Sequence, residues 1–239
     1  QPNVVTVESV LNEKLSELFG EEIRVIGASR TDTGVHALGN IAVFDTNARM
    51  PAEKVSYALN QRLPEDIRIQ KSVEVPVDFH PRHQNSRKTY EYKILNREFP
   101  QPIQRLYAHF TYVPLDVERM QKAANYFVGE HDYKSFCSVN TVAETTVRTI
   151  YSLTVEKQDE MITIRVTGSG FLYNMVRIIA GTLMEVGRRN IEPESIPDIL
   201  RALDRTKAGP TAPACGLTLV KYQYDDNILP EEKAVTVHK

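Results

Sequence analysis

The sequence has no run approaching the roughly 20 unbroken apolar residues that a membrane-spanning helix requires, so no membrane partner is expected. No charged-then-apolar segment opens it, and no secretory signal is read there. Cysteine is scarce. Cys137 and Cys215 lie far apart without metal-like spacing, which points to a reduced, cytoplasmic setting; a chain of this length does not need a disulfide between them. Charge of one sign is lacking too. The net charge is −2, whereas nucleic-acid binders usually carry positive excess, so composition alone argues against RNA. A local exception is His80, Arg82, His83, Arg87 and Lys88, although such clusters are most often solvated surface. No phosphate-cradling glycine loop, dinucleotide fingerprint or Gly-x-Ser-x-Gly elbow occurs. His80, His83 and His131 lack acids or cysteines in a metal-ligand arrangement. The chemistry is therefore expected to use no nucleotide cofactor and no metal.

What is present is 239 residues, 41% hydrophobic and 25% charged, enough for a substantial core in one large domain or two intimately packed halves. Val7, Val10, Leu11, Leu15 and Leu18 recur at helical spacing, with Thr6 as cap and Gly20 as stop. Ile23 to Ala28 reads as a strand. Asn40 to Thr46 reads as a second one, buried on both faces because its apolar centre is unbroken. Pro51 opens a helix through Leu59, and Ile67, Ile69, Val73 and Val75 read as extended. Arg87 to Leu95 alternates cleanly, with Tyr90, Tyr92 and Ile94 on one face. Asp116 caps a helix carrying Val117, Met120, Ala124 and Phe127, ended by Gly129. A hairpin follows, with Val147, Thr149, Tyr151, Leu153 and Val155 on one face of its first strand and Met161 to Val166 returning. Gly168-Ser169-Gly170 breaks that strand; helices over Leu172 to Val186 and Pro193 to Leu203, and a strand from Gly216 to Tyr224, complete the chain. The irregular alternation, with hairpin-like pairs, favours an α+β fold with a mixed or largely antiparallel sheet over a doubly wound parallel one. No fixed-period repeat or low-complexity tract is found.

The run Arg30-Thr31-Asp32-Thr33-Gly34-Val35-His36 lies between two strand-like segments, a good way to project charged groups from a rigid sheet. Gly34 can take a positive φ beside the acid, and Arg30 would favour an ionised Asp32, able to act as nucleophile or base. An ordinary turn tied by an Arg–Asp pair explains the same residues equally well. His36 reads as a proton carrier or, more commonly, a structural hydrogen-bonding group. In the later helix, Phe171, Leu172, Met175, Val176, Ile179, Leu183 and Val186 cover one face. Arg177 projects almost opposite, with Gly181 one turn along leaving room for something to approach the backbone. Solvent exposure is the common reading of such an Arg; an anionic ligand or carboxylate partner is the sharper one. Tyr90 is either a core tyrosine or a ring that stacks on a base.

Several segments together resemble the tRNA pseudouridine synthase A family. They are Gln1-Pro2-Asn3, Arg30 to Ala37, Asp78-Phe79-His80-Pro81-Arg82, Lys88-Thr89-Tyr90-Glu91-Tyr92 and Gly129 to Phe136. Gly170-Phe171-Leu172-Tyr173-Asn174-Met175-Val176-Arg177, Ile179 to Leu183 and Ala212 to Leu217 complete the set. The blocks fall in family order over nearly the whole chain, and the Arg-Thr-Asp-x-Gly-Val-His-Ala block is highly specific. The resemblance implies that Asp32 is the catalytic aspartate and that Arg30, Tyr90, Arg177 and Leu217 line the active site. It implies a cofactor-free isomerase of uridines at positions 38, 39 and 40 of the tRNA anticodon stem-loop. It also implies a homodimer whose tRNA clefts draw on both subunits, and a mixed sheet flanked by helices, built from two similar halves. Residues 1–95 would form the half carrying the Asp32 loop, 96–225 the half completing the cleft, and 226–239 a loose tail.

Two departures stand out. Ser29 occupies a position where many members have glycine. A strand and turn resembling Tyr-Asp-Gly-Thr-x-Phe-x-Gly-x-Gln, expected upstream of Gln1, is absent, which would leave unpaired edge groups and reads as a truncated, unresolved or mis-started sequence. Two other functions compete with an isomerase. A non-catalytic tRNA-binding or chaperone-like protein would not demand the complete Arg30-Thr31-Asp32 block. A glycosidase would want a second acid at defined separation, and none is evident.

Overall fold

A computed structural model describes residues 4–139 and 143–224. Residues 1–3 and the tail expected to be loose, 226–239, lie outside the described residues. In chain order the first elements are α1 (Val7–Phe19), β1 (Ile26–Gly27), β2 (His36–Ala37), β3 (Ala42–Val43) and α2 (Ala52–Asn60). Then come β4 (Ser86–Asn96), β5 (His109–Thr111), α3 (Val117–Asn125), β6 (Gly129–Asp132), β7 (Val147–Gln158) and β8 (Met161–Gly168). The last are α4 (Met175–Gly187), α5 (Ile196–Ala202) and β9 (Leu217–Tyr224). None of these helices is long and apolar enough to cross a membrane, among the described residues.

The chain groups into two compact units. One holds the chain through Arg30, Asn40–Asn85 and the chain from Tyr224 on; the other holds Thr31–Gly39 and Ser86–Gln223. The division expected after residue 95 follows chain order, whereas the compact units follow spatial contact and group the Asp32 loop with the later chain.

In the first unit, Thr6 and Ser9 cap α1 reciprocally: Thr6 Oγ1 accepts from the Ser9 N–H at 3.0 Å and Ser9 Oγ accepts from the Thr6 N–H at 2.9 Å. Gly20, left-handed, closes the helix. Leu11, Leu15, Ile23, Val25, Val55, Leu59 and Leu63 form the core. The two expected strands shrink to β1 and β3, which pair antiparallel over Ile26↔Val43 and Gly27↔Ala42. The rest of the apolar run has other hydrogen-bond partners. The Ile23 N–H donates to Ser16 Oγ and the Val25 N–H to Asn12 Oδ1, both on α1. Backbone groups satisfied by side chains do not need a ladder. Likewise Asn60 clasps Ile69, accepting from its N–H and donating to its carbonyl at 2.8 Å each, and residues 67–75 form no strand. The 40–46 segment is not buried on both faces: Ile41, Val43 and Phe44 are half-buried and Ala42 is exposed.

In the second unit, among the described residues, a seven-stranded sheet runs in the order β2-β9-β4-β8-β7-β6, with β5 beside β4. β4/β8, β7/β8 and β6/β7 are antiparallel; β2/β9 and β4/β5 are parallel. The sheet is thus mixed and largely antiparallel, flanked by helices, the α+β architecture anticipated from sequence. Tyr92↔Ile164 and Ile94↔Ile162 face inward, and α3 packs on β7 and α4 while α4 packs on β4. Two expectations shift. α3 stops at Asn125, so Phe127 reaches the core from the turn after it, and Gly129 opens β6. In β7 a bulge between Ile150 and Ser152 resets the alternation, burying Ile150, Leu153 and Val155 and turning Tyr151 outward. A residue beyond Leu172 is also needed before α4 begins: Asn174, left-handed, precedes its first turn.

Candidate active site

The Asp32 loop hangs from the sheet by β2. His36 and Ala37 are in parallel register with Thr218 and Leu219 of β9, and the Leu38 N–H donates to the Leu219 carbonyl at 2.8 Å. Just before β2, the Asp32 carbonyl accepts from the Val35 N–H at 3.0 Å. That turn needs Gly34 at φ +82°, the positive value its place beside the acid suggested. The Asp32 side chain is 28% exposed. It is neither a core acid nor a free surface one.

Its partner comes from α4. Arg177 Nη1 donates to Asp32 Oδ2 at 3.2 Å, across 145 residues of sequence. The same guanidinium donates through Nε to the Ala212 carbonyl at 2.8 Å and through Nη1 to Asn174 Oδ1, also at 2.8 Å. Arg177 is therefore not the solvated arginine that its place opposite the apolar face suggested; its side chain is 18% exposed. The reason is the segment before β9. A Cβ on Gly181 would sit 1.8 Å from the Pro210 carbonyl oxygen, so what approaches the helix backbone there is this chain itself. The Ala212 N–H donates to the Arg177 carbonyl at 3.1 Å, and the Gly209 N–H to Thr182 Oγ1 at 2.9 Å. From β4, the Tyr92 hydroxyl donates to the Pro213 carbonyl at 2.9 Å. Burial first, then neighbouring Cys215, push the Tyr92 phenol pKa up, against a smaller downward pull from Arg177, so it stays a protonated donor.

The other sequence-derived residues are placed as follows. Tyr90 is buried on β4 opposite Val166, its ring edge-on to Phe171 with centroids 5.3 Å apart. Leu217 is buried at the start of β9, one residue before the partner of His36. Arg30 is exposed and belongs to the first unit, whereas the cation paired with Asp32 is Arg177. A ring nitrogen of His36 lies 2.6 Å from the Leu106 carbonyl, and the ring rests against Tyr107, a structural use. The basic cluster divides. His80 stacks on His83 and Arg82 Nε donates to the Gly27 carbonyl in the first unit. In the second, Arg87 lies over the Tyr151 ring and Lys88 over that of Tyr222. No group of three or more His, Cys, Asp or Glu side chains placed to hold a metal occurs among the described residues.

Sequence reasoning missed Asn174 and the Ala212 carbonyl. Asn174 had a weak signal, an asparagine immediately before an apolar helix. A main-chain carbonyl from a distant loop had none.

A family model described as tRNA pseudouridine synthase matches residues 1–84 and 123–225, taking in Asp32, Arg177 and Leu217. The chain is 49% identical over 224 residues to a tRNA pseudouridine synthase A of Thermoanaerobacter sp. (strain X514), covering 94% of this chain and 92% of the relative. The chain belongs to the tRNA pseudouridine synthase A family. Relatives of the same name in Acetivibrio thermocellus, 47% identical, and Brevibacillus brevis, 46%, cover the same shares. The Asp32 carboxylate is thus held by an arginine that is itself fixed by main chain.

Proposed function

We propose that this isomerase of tRNA uridine acts at positions 38, 39 and 40 of the anticodon stem-loop, with Asp32 as its catalytic carboxylate. The observation that carries the reading is the Asp32–Arg177 pair, drawn from two motifs distant in sequence. Pseudouridine formation breaks the N1–C1′ bond, turns the base and closes a C5–C1′ bond; N1 gains a hydrogen and C5 loses one. No group leaves, so the detached base must be kept from water. The target must first be unstacked, at a cost of a few kcal/mol. Arg177 engages Oδ2 and holds Asp32 either for attack, at C1′ of the sugar or at C6 of the base, or for removing the C2′ proton to form a glycal. Deuterium at C2′ slows the second route and not the first.

Arg30, Tyr90, Arg177 and Leu217 form the proposed substrate-binding set, Arg30 and Arg177 meeting phosphate or carboxylate and Tyr90 meeting the base. The working form is proposed as a cytoplasmic homodimer that needs no cofactor, its tRNA clefts drawing on both subunits, with each half of the chain, 1–95 and 96–225, contributing to the cleft. Replacing Asp32 with Asn preserves shape and removes charge. Pseudouridine formation on an anticodon stem-loop transcript should fall by about a hundredfold to ten-thousandfold; substantial turnover by a folded variant would overturn the assignment. Tyr90→Phe should leave most activity, and an equally severe loss would give its hydroxyl a proton-transfer role.

A further inference from the structure

We propose that Asn174 is a positioning residue for this reaction: it sets the Arg177 guanidinium against Asp32 and is itself set by Ser138. The proposal rests on Asp32 being the catalytic carboxylate. An asparagine directly before a helix ordinarily turns its side chain back to cap the first free N–H groups. Asn174 does not. It makes no side-chain cap bond and takes φ +61°, a left-handed conformation that asparagine tolerates better than other side chains do. Its carbonyl starts the helix, accepting from the Ile178 N–H at 2.9 Å.

The side chain is used elsewhere. Oδ1 accepts from Arg177 Nη1 at 2.8 Å, the same nitrogen that donates to Asp32 Oδ2 at 3.2 Å. Nδ2 donates to Ser138 Oγ at 2.8 Å. The amide has one orientation that works, because a guanidinium offers only donors and must meet the oxygen. Ser138 is anchored in turn, its N–H donating to the Tyr173 carbonyl at 3.1 Å, one residue before Asn174. A short rigid relay therefore runs from Ser138 through Asn174 and Arg177 to Asp32. Its neutral acceptor keeps Nη1 directed without competing for the charge that Asp32 requires. Among the described residues, the ionisable groups that interact with this guanidinium are Asp32 from its loop and Tyr92 from β4. Tyr92 is a protonated donor to the Pro213 carbonyl, so Asp32 is the carboxylate that Arg177 serves.

The test measures kcat, KM and the pH profile of pseudouridine formation on a tRNA transcript for Asn174→Gly, Asn174→Asp, Ser138→Ala and Asp32→Asn. Glycine accepts the left-handed backbone without strain and deletes only the relay. It should lower kcat about tenfold to a hundredfold, the scale of a reacting group displaced by an ångström, with KM changed less than about threefold. Aspartate keeps an acceptor for Nη1 and should recover part of that loss. Its added negative charge beside the same guanidinium moves the acid limb of the profile to higher pH. A helix-capping role would leave that limb in place. Asn174→Gly with kcat within about twofold of the parent, or Asn174→Asp with an unmoved acid limb, would overturn the proposal. Should the glycine variant fail to fold, Ser138→Ala decides, since unchanged kcat there has the same force. Active Asp32→Asn defeats the underlying catalytic reading; inactive Asp32→Asn beside fully active Asn174→Gly defeats the relay alone.

Discussion

The two compact units are held together by different means. The first, among the described residues, has two helices around a small aliphatic cluster, and its backbone is tied largely by polar side chains: Ser16, Asn12 and Asn60 take groups that a sheet would otherwise pair. The second has a continuous ladder of strands over a core of fully buried side chains, including Tyr92, Phe127, Phe136, Ile164 and Leu183. At about 1.5–3 kcal/mol for each large apolar side chain removed from water, the second core dominates stability. The lesson is that Asp32, Arg177 and the relay behind them all stand on the better-packed unit, where a reacting group is most firmly held.

Gly181→Ala should break that contrast most severely. The added methyl meets the Pro210 carbonyl oxygen at 1.8 Å, and neither helix nor loop is a flexible tip that can yield. A loss of about 3 kcal/mol or more is expected, read as a lowered midpoint in chemical denaturation. Next come matched truncations, Leu183→Ala and Leu59→Ala, each costing about 2–5 kcal/mol where the core cannot collapse. Amide hydrogen exchange distinguishes them. Leu183→Ala should speed exchange through β4, β8 and α4, whereas Leu59→Ala should speed it in α1 and α2 and leave β4 and β8 protected. Uniform loss from both would mean that the units do not open separately. Smallest is Thr6→Ala, which removes half of the capping box for about 1 kcal/mol and should loosen only the first turn of α1.

Legibility in the sequence followed the same divide. In the second unit, β4 could be read from the alternation of Tyr90, Tyr92 and Ile94, and the β7/β8 hairpin from its polar turn, because ladders and faces impose a period. The bulge at Tyr151 escaped, since an inserted residue shifts the period without changing composition. In the first unit, the apolar runs at Ile23 and Ile67 looked like strands because hydrophobicity reports burial and not where N–H groups go; Ser16, Asn12 and Asn60 decide that, from other elements. At the site, Asp32, Gly34 and the positions of Arg177 and Gly181 were visible. Their relation was not. Periodicity placed Arg177 away from the apolar face and hence toward solvent, but the Gly209–Ala212 segment covers that side, and no local pattern announces a distant loop.

The paired contacts between Arg177 and Ala212 carry a consequence for how this site can change over time. Arg177 gives its carbonyl to the Ala212 N–H and takes the Ala212 carbonyl with Nε. Both are main-chain groups at position 212, present with any residue there except proline. Ala212 is itself buried in the core, so drift at that position is limited by packing and not by any side-chain contact to the guanidinium. The close approach also demands that positions 181 and 209 remain without side chains: a Cβ on Gly181 would meet the Pro210 carbonyl oxygen and one on Gly209 the Thr182 Cα at 2.7 Å, so two facing glycines set the seat of the loop.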